Sequence, residues 1–296
     1  MRIGVLKESL FLGGTERSAS NISKVLAAEH EVFTILYDGS NIQYPYGGTL
    51  VDLGCPARKS LPGKVINNLI RLKRYKDCIK KYRLELLYEF ISISNPLCAV
   101  RHSKQIRIIS ARDFSALSSR LKRFHKCLST ADAMICNSLY LKKYYLAKNP
   151  CDEGKVFTVY NVIDTKGILA QSTESTEPEF AEFCTSHPKT VVAVGRFCKE
   201  KGFEYLLQSI AKARIIDTNI GLVLIGAGTY YNGYTDLIKE LNLSGHVYFT
   251  GYQKNPYKYM SRCSCFVLSS LSEGFPNVLA EAMSLRLPVI ATNCLT

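Results

Sequence analysis

What most constrains this chain is a repeated change of period along it. Short apolar runs alternate with segments whose apolar residues recur at helical spacing. In the first half, Ile3–Leu6 reads as a strand, Thr15–Ala28 as a helix, Glu31–Tyr37 as a strand, Lys64–Tyr82 as a helix and Leu84–Ile93 as a strand. Ile106–Ser110, a helix over Ser115–Leu128, Ala133–Asn137 and a helix from Leu139 follow. Strands buried on both faces read as continuous apolar runs because crossover helices cover both sides, so this alternation predicts a mostly parallel, doubly wound α/β sheet. Between Ala170 and Lys189 the chain turns polar, acidic and proline-containing, which predicts a linker. Alternation then resumes through Thr190–Val194, a helix over Gly202–Ala213, Ile220–Ile225, a helix near Thr235–Leu241, His246–Thr250, Cys265–Leu268, a helix from Asn277 and Val289–Ala291. The expected organisation is a first domain over 1–170, a linker over 171–188 and a second domain over 189–296. Two such domains facing each other leave a cleft at the carboxyl ends of their strands, where ligands of parallel sheets sit.

At 296 residues and 47% hydrophobic, the chain can bury full cores. It contains no apolar run of about 18 residues and no leader-like N-terminus, so it is expected to be cytoplasmic rather than exported or membrane-spanning. Its 11 cysteines include no Cys-x-x-Cys pair, which predicts buried, reduced thiols rather than zinc or redox chemistry. Charge is divided unevenly: residues 1–170 carry 27 Lys+Arg against 14 Asp+Glu, while the remainder carries 11 of each. The excess concentrates in Arg71–Arg83 and between Arg101 and Lys126, where basic residues alternate with apolar ones. Such a surface suits an anionic lipid headgroup or a phosphorylated substrate, or else it is a solvated helix face. Nucleic acid is disfavoured, because no nucleic-acid-binding motif accompanies the charge.

Three loops carry candidate chemistry. Gly13 and Gly14 follow the first strand and open a helix, either as a tight turn or as a place where backbone amides approach an anion. Gly195 and Arg196 end a strand and Lys201 precedes a helix, which would hold both cations at the carboxyl edge of the sheet, facing solvent or converging on a diphosphate. The stretch Ser272-Glu-Gly-Phe-Pro-Asn-Val-Leu-Ala-Glu281 sets Glu273 in a loop and Glu281 about one turn inside a helix that Asn277 caps or Pro276 begins. The amides of Gly274, Phe275 and Asn277 would face a polyhydroxyl or anionic ligand. The two acids would accept hydrogen bonds from sugar hydroxyls, or simply complement the helix dipole. Ile225-Gly-Ala-Gly228 gives a further Gly-x-Gly turn after a strand, without the rest of a dinucleotide fingerprint.

Taken together these residues resemble glycosyltransferase family 4. Glu273 to Glu281 matches the E-x7-E motif of retaining glycosyltransferases with the GT-B fold. Gly13–Arg17, Asn161–Asp164, Gly195-Arg196 with Lys201-Gly202, Ile225–Gly228 and Val247–Gly251 fall in the family's order across nearly the whole chain. The resemblance implies two Rossmann-like domains facing a cleft, the first on the acceptor side and the second on the nucleotide-sugar side. It implies that Arg196 and Lys201 hold the donor diphosphate and that Glu273, with Gly274, Phe275, Pro276 and Asn277, positions the transferred sugar. Glu281 would bind the ribose hydroxyls, and Gly13 and Gly14 would approach the donor phosphate and the acceptor. The implied reaction is retaining transfer from a nucleotide-diphosphate sugar, with a UDP-linked donor expected, and it requires neither metal nor cofactor. The implied acceptor is a lipid-linked or polysaccharide glycan of bacterial surface assembly (lipopolysaccharide, capsule or O-antigen). The enzyme would work peripherally at the inner face of the plasma membrane, docked on anionic lipid through the basic first domain.

Two departures from the family pattern stand out. Where many members carry a histidine near the end of a first-domain strand, this chain has Ile109-Ser-Ala-Arg-Asp-Phe114, leaving Arg112 or Asp113 in its place, with His102 and His125 expected on the surface. The chain also stops soon after Val289–Ala291, where the family continues. The second domain is therefore expected to be incomplete, and the alternative reading is a truncated, inactive remnant or a fragment of such an enzyme.

Overall fold

The computed structural model describes residues 1–11, 13–57, 60–90 and 104–294. The chain forms two compact units, Met1–Val162 and Ile163 onward. Leu12, the expected continuation of a strand over 91–93, Cys98, Arg101 and His102 lie outside the described residues.

The first unit is a seven-stranded parallel sheet in the order β3-β2-β1-β4-β5-β6-β7. Its elements are β1 (Arg2–Lys7), α1 (Gly14–Ala27), β2 (Glu31–Leu36), β3 (Thr49–Asp52), α2 (Leu61–Lys81), β4 (Leu86–Phe90), β5 (Ile106–Ala111), α3 (Phe114–Ser119), α4 (Leu121–Leu128), β6 (Ala133–Cys136), α5 (Leu139–Leu146) and β7 (Val156–Thr158). Side chains of a strand alternate between faces, and both faces here are packed. Ile3 and Val5 of β1 join Ala19 of α1, while Leu6 joins Tyr75 and Ile79 of α2. At Gly4 the missing side chain leaves room for Leu84 and Ile35, which an added Cβ would meet at 2.8 and 3.1 Å. β3 and β7 are edge strands too short to show a period in the sequence. The single helix expected over Ser115–Leu128 is two helices, because Arg120 leaves the helical region at φ −138°. A buried ion pair crosses the sheet interior: Arg107 meets Glu89 at 2.8 Å, and Tyr75 donates to the same carboxylate at 3.1 Å. Burial raises the pKa of that carboxyl, against the opposing pull of Arg107.

The second unit contains α6 (Thr165–Ser172), α7 (Pro178–Ser186), β8 (Lys189–Val194), α8 (Phe203–Ile216), β9 (Ile220–Ile225), α9 (Tyr231–Glu240), β10 (Val247–Gly251), α10 (Tyr257–Met260), β11 (Cys265–Leu268), α11 (Asn277–Ser284) and β12 (Val289–Ala291). Its parallel sheet runs β10-β9-β8-β11-β12. Here the structure differs from the expected linker over 171–188. The boundary falls at Val162/Ile163, and α7 occupies Pro178–Ser186 within the polar stretch. Phe180 is fully buried against Tyr259 and Tyr248, Phe183 packs half-buried on the same cluster, and Glu177 accepts from Tyr259 at 2.6 Å. A short helix with only a few inward apolar residues, set among acidic and polar ones, reads as a loop from composition alone. The second sheet has five strands among the described residues, with β12 at one edge and a register shift between Phe249 and Gly251 where β10 pairs with β9.

Of the 11 cysteines, the ten described are free; five are buried, while Cys151 is exposed and Cys184, Cys198, Cys265 and Cys294 are half-buried, so the expectation of uniformly buried thiols holds for half of them.

Candidate functional site

In the second unit, the loop after β8 and the loop after β11 leave the same sheet edge from neighbouring strands. β8 ends at Val194, Gly195 and Arg196 follow, and a single 3-10 turn over Lys199–Lys201 leads through Gly202 into α8. Gly202 has φ +60°, and a Cβ there would strike the carbonyl of Ser269. Only glycine lets the chain turn this tightly against the neighbouring loop. The two loops are then stitched together: Ser269 Oγ donates to the Lys201 carbonyl at 2.8 Å, and Leu271 N–H donates to the Glu200 carbonyl at 2.9 Å.

This stitching brings together side chains distant in sequence. Lys201 Nζ donates to Glu273 Oε1 at 2.6 Å, and Ser270 Oγ donates to the same oxygen at 2.7 Å. Both charged side chains are largely covered, at 22% and 12% exposure, so their pairing is stronger than a surface ion pair. Ser270 is itself held by Thr292, whose hydroxyl donates to its carbonyl at 2.5 Å from the loop after β12. Arg196 is exposed and, among the described residues, makes no ion pair. Together with Lys201, its charge helps hold the Glu200 carboxyl below the usual carboxylate range, though the larger causes are hydrogen bonds from the backbone of Glu200 itself and from Cys198.

Gly274 is buried, and Phe275, Pro276 and Asn277 are half-buried. Pro276 stands at the cap position of α11 and Asn277 is the first helical residue, with no side chain capping that end. Glu281 is the fifth residue of α11 and is 2% exposed. Thus eight of the eleven sequence-predicted site residues lie in the two loops or at the uncapped helix start, and Glu281 lies inside that helix. Gly13 and Gly14 belong to the first unit. They are exposed at the start of α1, where Gly13 takes φ +146° and a Cβ would meet the carboxylate of Glu16, which pairs with the buried Lys7 at 2.9 Å.

The candidates for the missing histidine resolve differently. Asp113 is the N-cap of α3, accepting from Ala116 N–H at 2.7 Å, so its carboxylate is spent on the helix end. Arg112 is buried and heavily hydrogen-bonded. His125 lies on the surface beside Asp152 at 2.8 Å. Sequence reasoning missed Ser269, Ser270 and Thr292, whose signal was weak: hydroxyl residues immediately following predicted strands.

Two family models match the chain: Glycosyltransferase Family 4 over residues 12–166, and Glycosyl transferases group 1 over residues 176–296. An uncharacterized glycosyltransferase of Methanocaldococcus jannaschii is 34% identical over 166 residues, covering 56% of this chain and 41% of that protein, so the match spans less than half of the archaeal relative. The N-acetylgalactosamine-N,N'-diacetylbacillosaminyl-diphospho-undecaprenol 4-alpha-N-acetylgalactosaminyltransferase of Campylobacter jejuni is 24% identical over 99% of this chain and 80% of its own length. Among solved structures, Anabaena HepE in complex with UDP and glucose superposes with a TM-score of 0.74 at 15% identity, over 99% of this chain and 80% of that one, a likeness of fold.

Proposed function

Because this chain belongs to Glycosyltransferase Family 4, whose model matches more than half of it, we propose that it transfers a sugar from a nucleotide-diphosphate donor, UDP-linked, to a lipid-linked or polysaccharide glycan with retention of anomeric configuration. The observation that carries the reading is the Lys201–Glu273 pair at the shared edge of β8 and β11. An ammonium has three N–H donors, and Glu273 takes one, so Lys201 can meet diphosphate oxygens while Glu273 stays fixed to receive a sugar hydroxyl. Exposed Arg196 adds a second cation on the same loop. In the proposed reaction the bond from the anomeric carbon to the diphosphate oxygen breaks, and the acceptor oxygen bonds to that carbon on the same face. The acceptor proton passes to the departing phosphate oxygen. Negative charge grows on the leaving group, where Lys201 and Arg196 stabilise it. Glu281 binds the ribose, and the start of α11 faces the donor.

A thermal-shift panel of UDP-, GDP- and ADP-sugars tests the donor part. A donor at 100 times its Kd adds about 2.7 kcal/mol to stability. The expected result is a rise in Tm with the UDP-sugar that Lys201→Ala removes; no shift with any nucleotide sugar would sink the assignment.

We infer further that the protein docks on anionic membrane through α2, on the cytoplasmic face. Supporting this, Leu61, Val65, Ile66 and Leu69 are 52–78% exposed along the first half of the helix, with Lys73, Lys76, Lys80 and Lys81 exposed beyond them. An apolar stripe flanked by lysines suits a headgroup layer. Not all of the basic run is available. Arg71 is buried, donating twice to the Cys55 carbonyl at 2.8 and 3.1 Å, and Arg74 donates to the Leu53 carbonyl at 2.5 Å. Flotation with anionic but not neutral vesicles, lost in a Leu61→Ser, Leu69→Ser variant, is the expected outcome; equal flotation with both lipids would refute electrostatic docking.

A further inference from the structure

Arg112, the residue following β5, is 8% exposed and lies at the carboxyl edge of the first unit's sheet. Its hydrogen bonds all go to neutral groups: Nε to Ser110 Oγ at 2.5 Å, Nη2 to the Tyr88 hydroxyl at 2.6 Å and Nη1 to Asn161 Oδ1. The ring of Phe90 lies 5.0 Å from its central carbon. Arg107, on β5 itself, is more deeply buried but is neutralised by Glu89. Arg112 makes no ion pair among the described residues. Removing an uncompensated charge from water costs several kcal/mol, and among the described residues no carboxylate offsets it. A guanidinium also carries five N–H groups, of which three are used among the described residues.

A second unspent polar group lies beside it. Asn137, the residue following β6, is 2% exposed; its Nδ2 donates to the Arg112 carbonyl at 3.1 Å, while its Oδ1 has no partner among the described residues. Arg112 follows Ile108 and Ser110 in alternation, and Asn137 follows Ile135. Ile108, Ile135, Tyr88 and Phe90 all pack in the cluster that contains Ala19 of α1. Arg112 and Asn137 therefore share the face covered by α1, the helix that Gly13 and Gly14 open at the same edge. The carboxyl edge of a parallel sheet is where ligands of such folds bind.

We propose that Arg112 holds an anionic group of the acceptor, a phosphoryl or carboxylate oxygen, and that Asn137 Oδ1 accepts a hydrogen bond from a neighbouring sugar hydroxyl. The acceptor part of this rests on the glycosyltransferase reading; the anion site itself rests on the buried, un-neutralised cation. Nothing covalent changes at Arg112: it is a binding group that fixes which acceptors fit.

The test titrates glucose 6-phosphate, glucuronate and neutral glucose by calorimetry into the full chain carrying Lys201→Ala, which disables the donor's diphosphate contact. At least one anionic sugar is expected to bind about tenfold or more tightly than glucose, since a charge-assisted hydrogen bond of roughly 1.5–3 kcal/mol corresponds to that factor or more. Preference for glucose 6-phosphate identifies a phosphoryl group and preference for glucuronate a carboxylate. Arg112→Gln should remove the preference. Should that variant fail to fold, Asn161→Asp keeps the acceptor oxygen for Nη1 while supplying the missing negative charge. It is expected to raise Tm and to weaken anionic-sugar binding by the same factor. The proposal is overturned if anionic sugars bind no better than glucose, or if Asn161→Asp, folded, binds them unchanged. A missing UDP-sugar shift alongside anion binding that Asn161→Asp removes would count against the donor reading and for this site; a normal UDP-sugar shift without anion preference counts against this site alone.

Discussion

Acid should loosen the second unit through one chain of hydrogen bonds. His187 Nδ1 donates to the Phe183 carbonyl at 3.0 Å, so in the neutral ring its Nε2 is an acceptor. That acceptor faces His246 Nδ1 at 2.9 Å, which must therefore donate, leaving His246 Nε2 to accept from Arg214 Nη2 at 3.0 Å. Arg214 is anchored by the carbonyls of Thr218, at 2.7 Å, and Ile220. Every contact is satisfied with neutral rings, and a proton added to His246 Nε2 would point at an Arg214 N–H. Desolvation, then Arg214, then His187 push the His246 pKa below 6.5. The sign follows: a histidine whose folded pKa lies below its unfolded value binds fewer protons folded than unfolded between the two. Stability is therefore complete above about pH 6.5 and falls as pH drops toward the folded pKa. The bond from the charged Arg214 contributes roughly 1.5–3 kcal/mol, reduced by partial exposure to the low end of that range, or a fall of about 4–8 °C in Tm for a unit of this size. The assay compares melts at pH 7.5 and 5.0 for the wild type and His246→Asn, which keeps a donor toward His187 but cannot be protonated. The wild type should lose the larger amount. Equal losses in both, or an NMR titration placing the His246 midpoint at or above 6.5, would refute the tautomer chain.

Three further outcomes are expected. Lys201→Ala should lower kcat/KM roughly 10²–10³-fold in a transfer assay, by analogy with loss of one preorganised donor to developing negative charge, and Glu281→Ala should abolish transfer; retained activity in either removes that residue from the site. Gly202→Ala forces a side chain into φ +60° and against the Ser269 carbonyl, and should cost about 1–3 kcal/mol in urea denaturation, with unchanged stability contradicting the tight turn. Glu89→Gln leaves Arg107 buried without its counter-charge and should destabilise the first unit by roughly 3–5 kcal/mol in the same assay.

The alternation of periods made most of the strands and helices legible, because each depends on a local pattern of apolar residues. The elements missed were those with too little local signal: the short strands β3 and β7, the short helices α6 and α10, and α7, whose buried aromatic Phe180 meets partners 68 and 79 positions away in Tyr248 and Tyr259. The candidate site was legible as residue types in order: Arg196, Lys201 and Glu273 stand in loops between a strand and a helix, and Glu281 lies inside the helix that follows.

The sequence by itself determined two parallel-sheet units, the division of charge between them and the family motifs, since these follow from periodicity, composition and spacing along one dimension. Tertiary structure alone decided which charges are paired. Lys201 and Glu273, 72 residues apart, meet because β8 and β11 are neighbours in the sheet. Arg107 finds Glu89 while Arg112, just past the end of the same strand, finds only neutral partners among the described residues. A one-dimensional pattern cannot specify that difference, because the energy of a buried charge depends on what stands within a few ångströms of it, and adjacent strands set that neighbourhood.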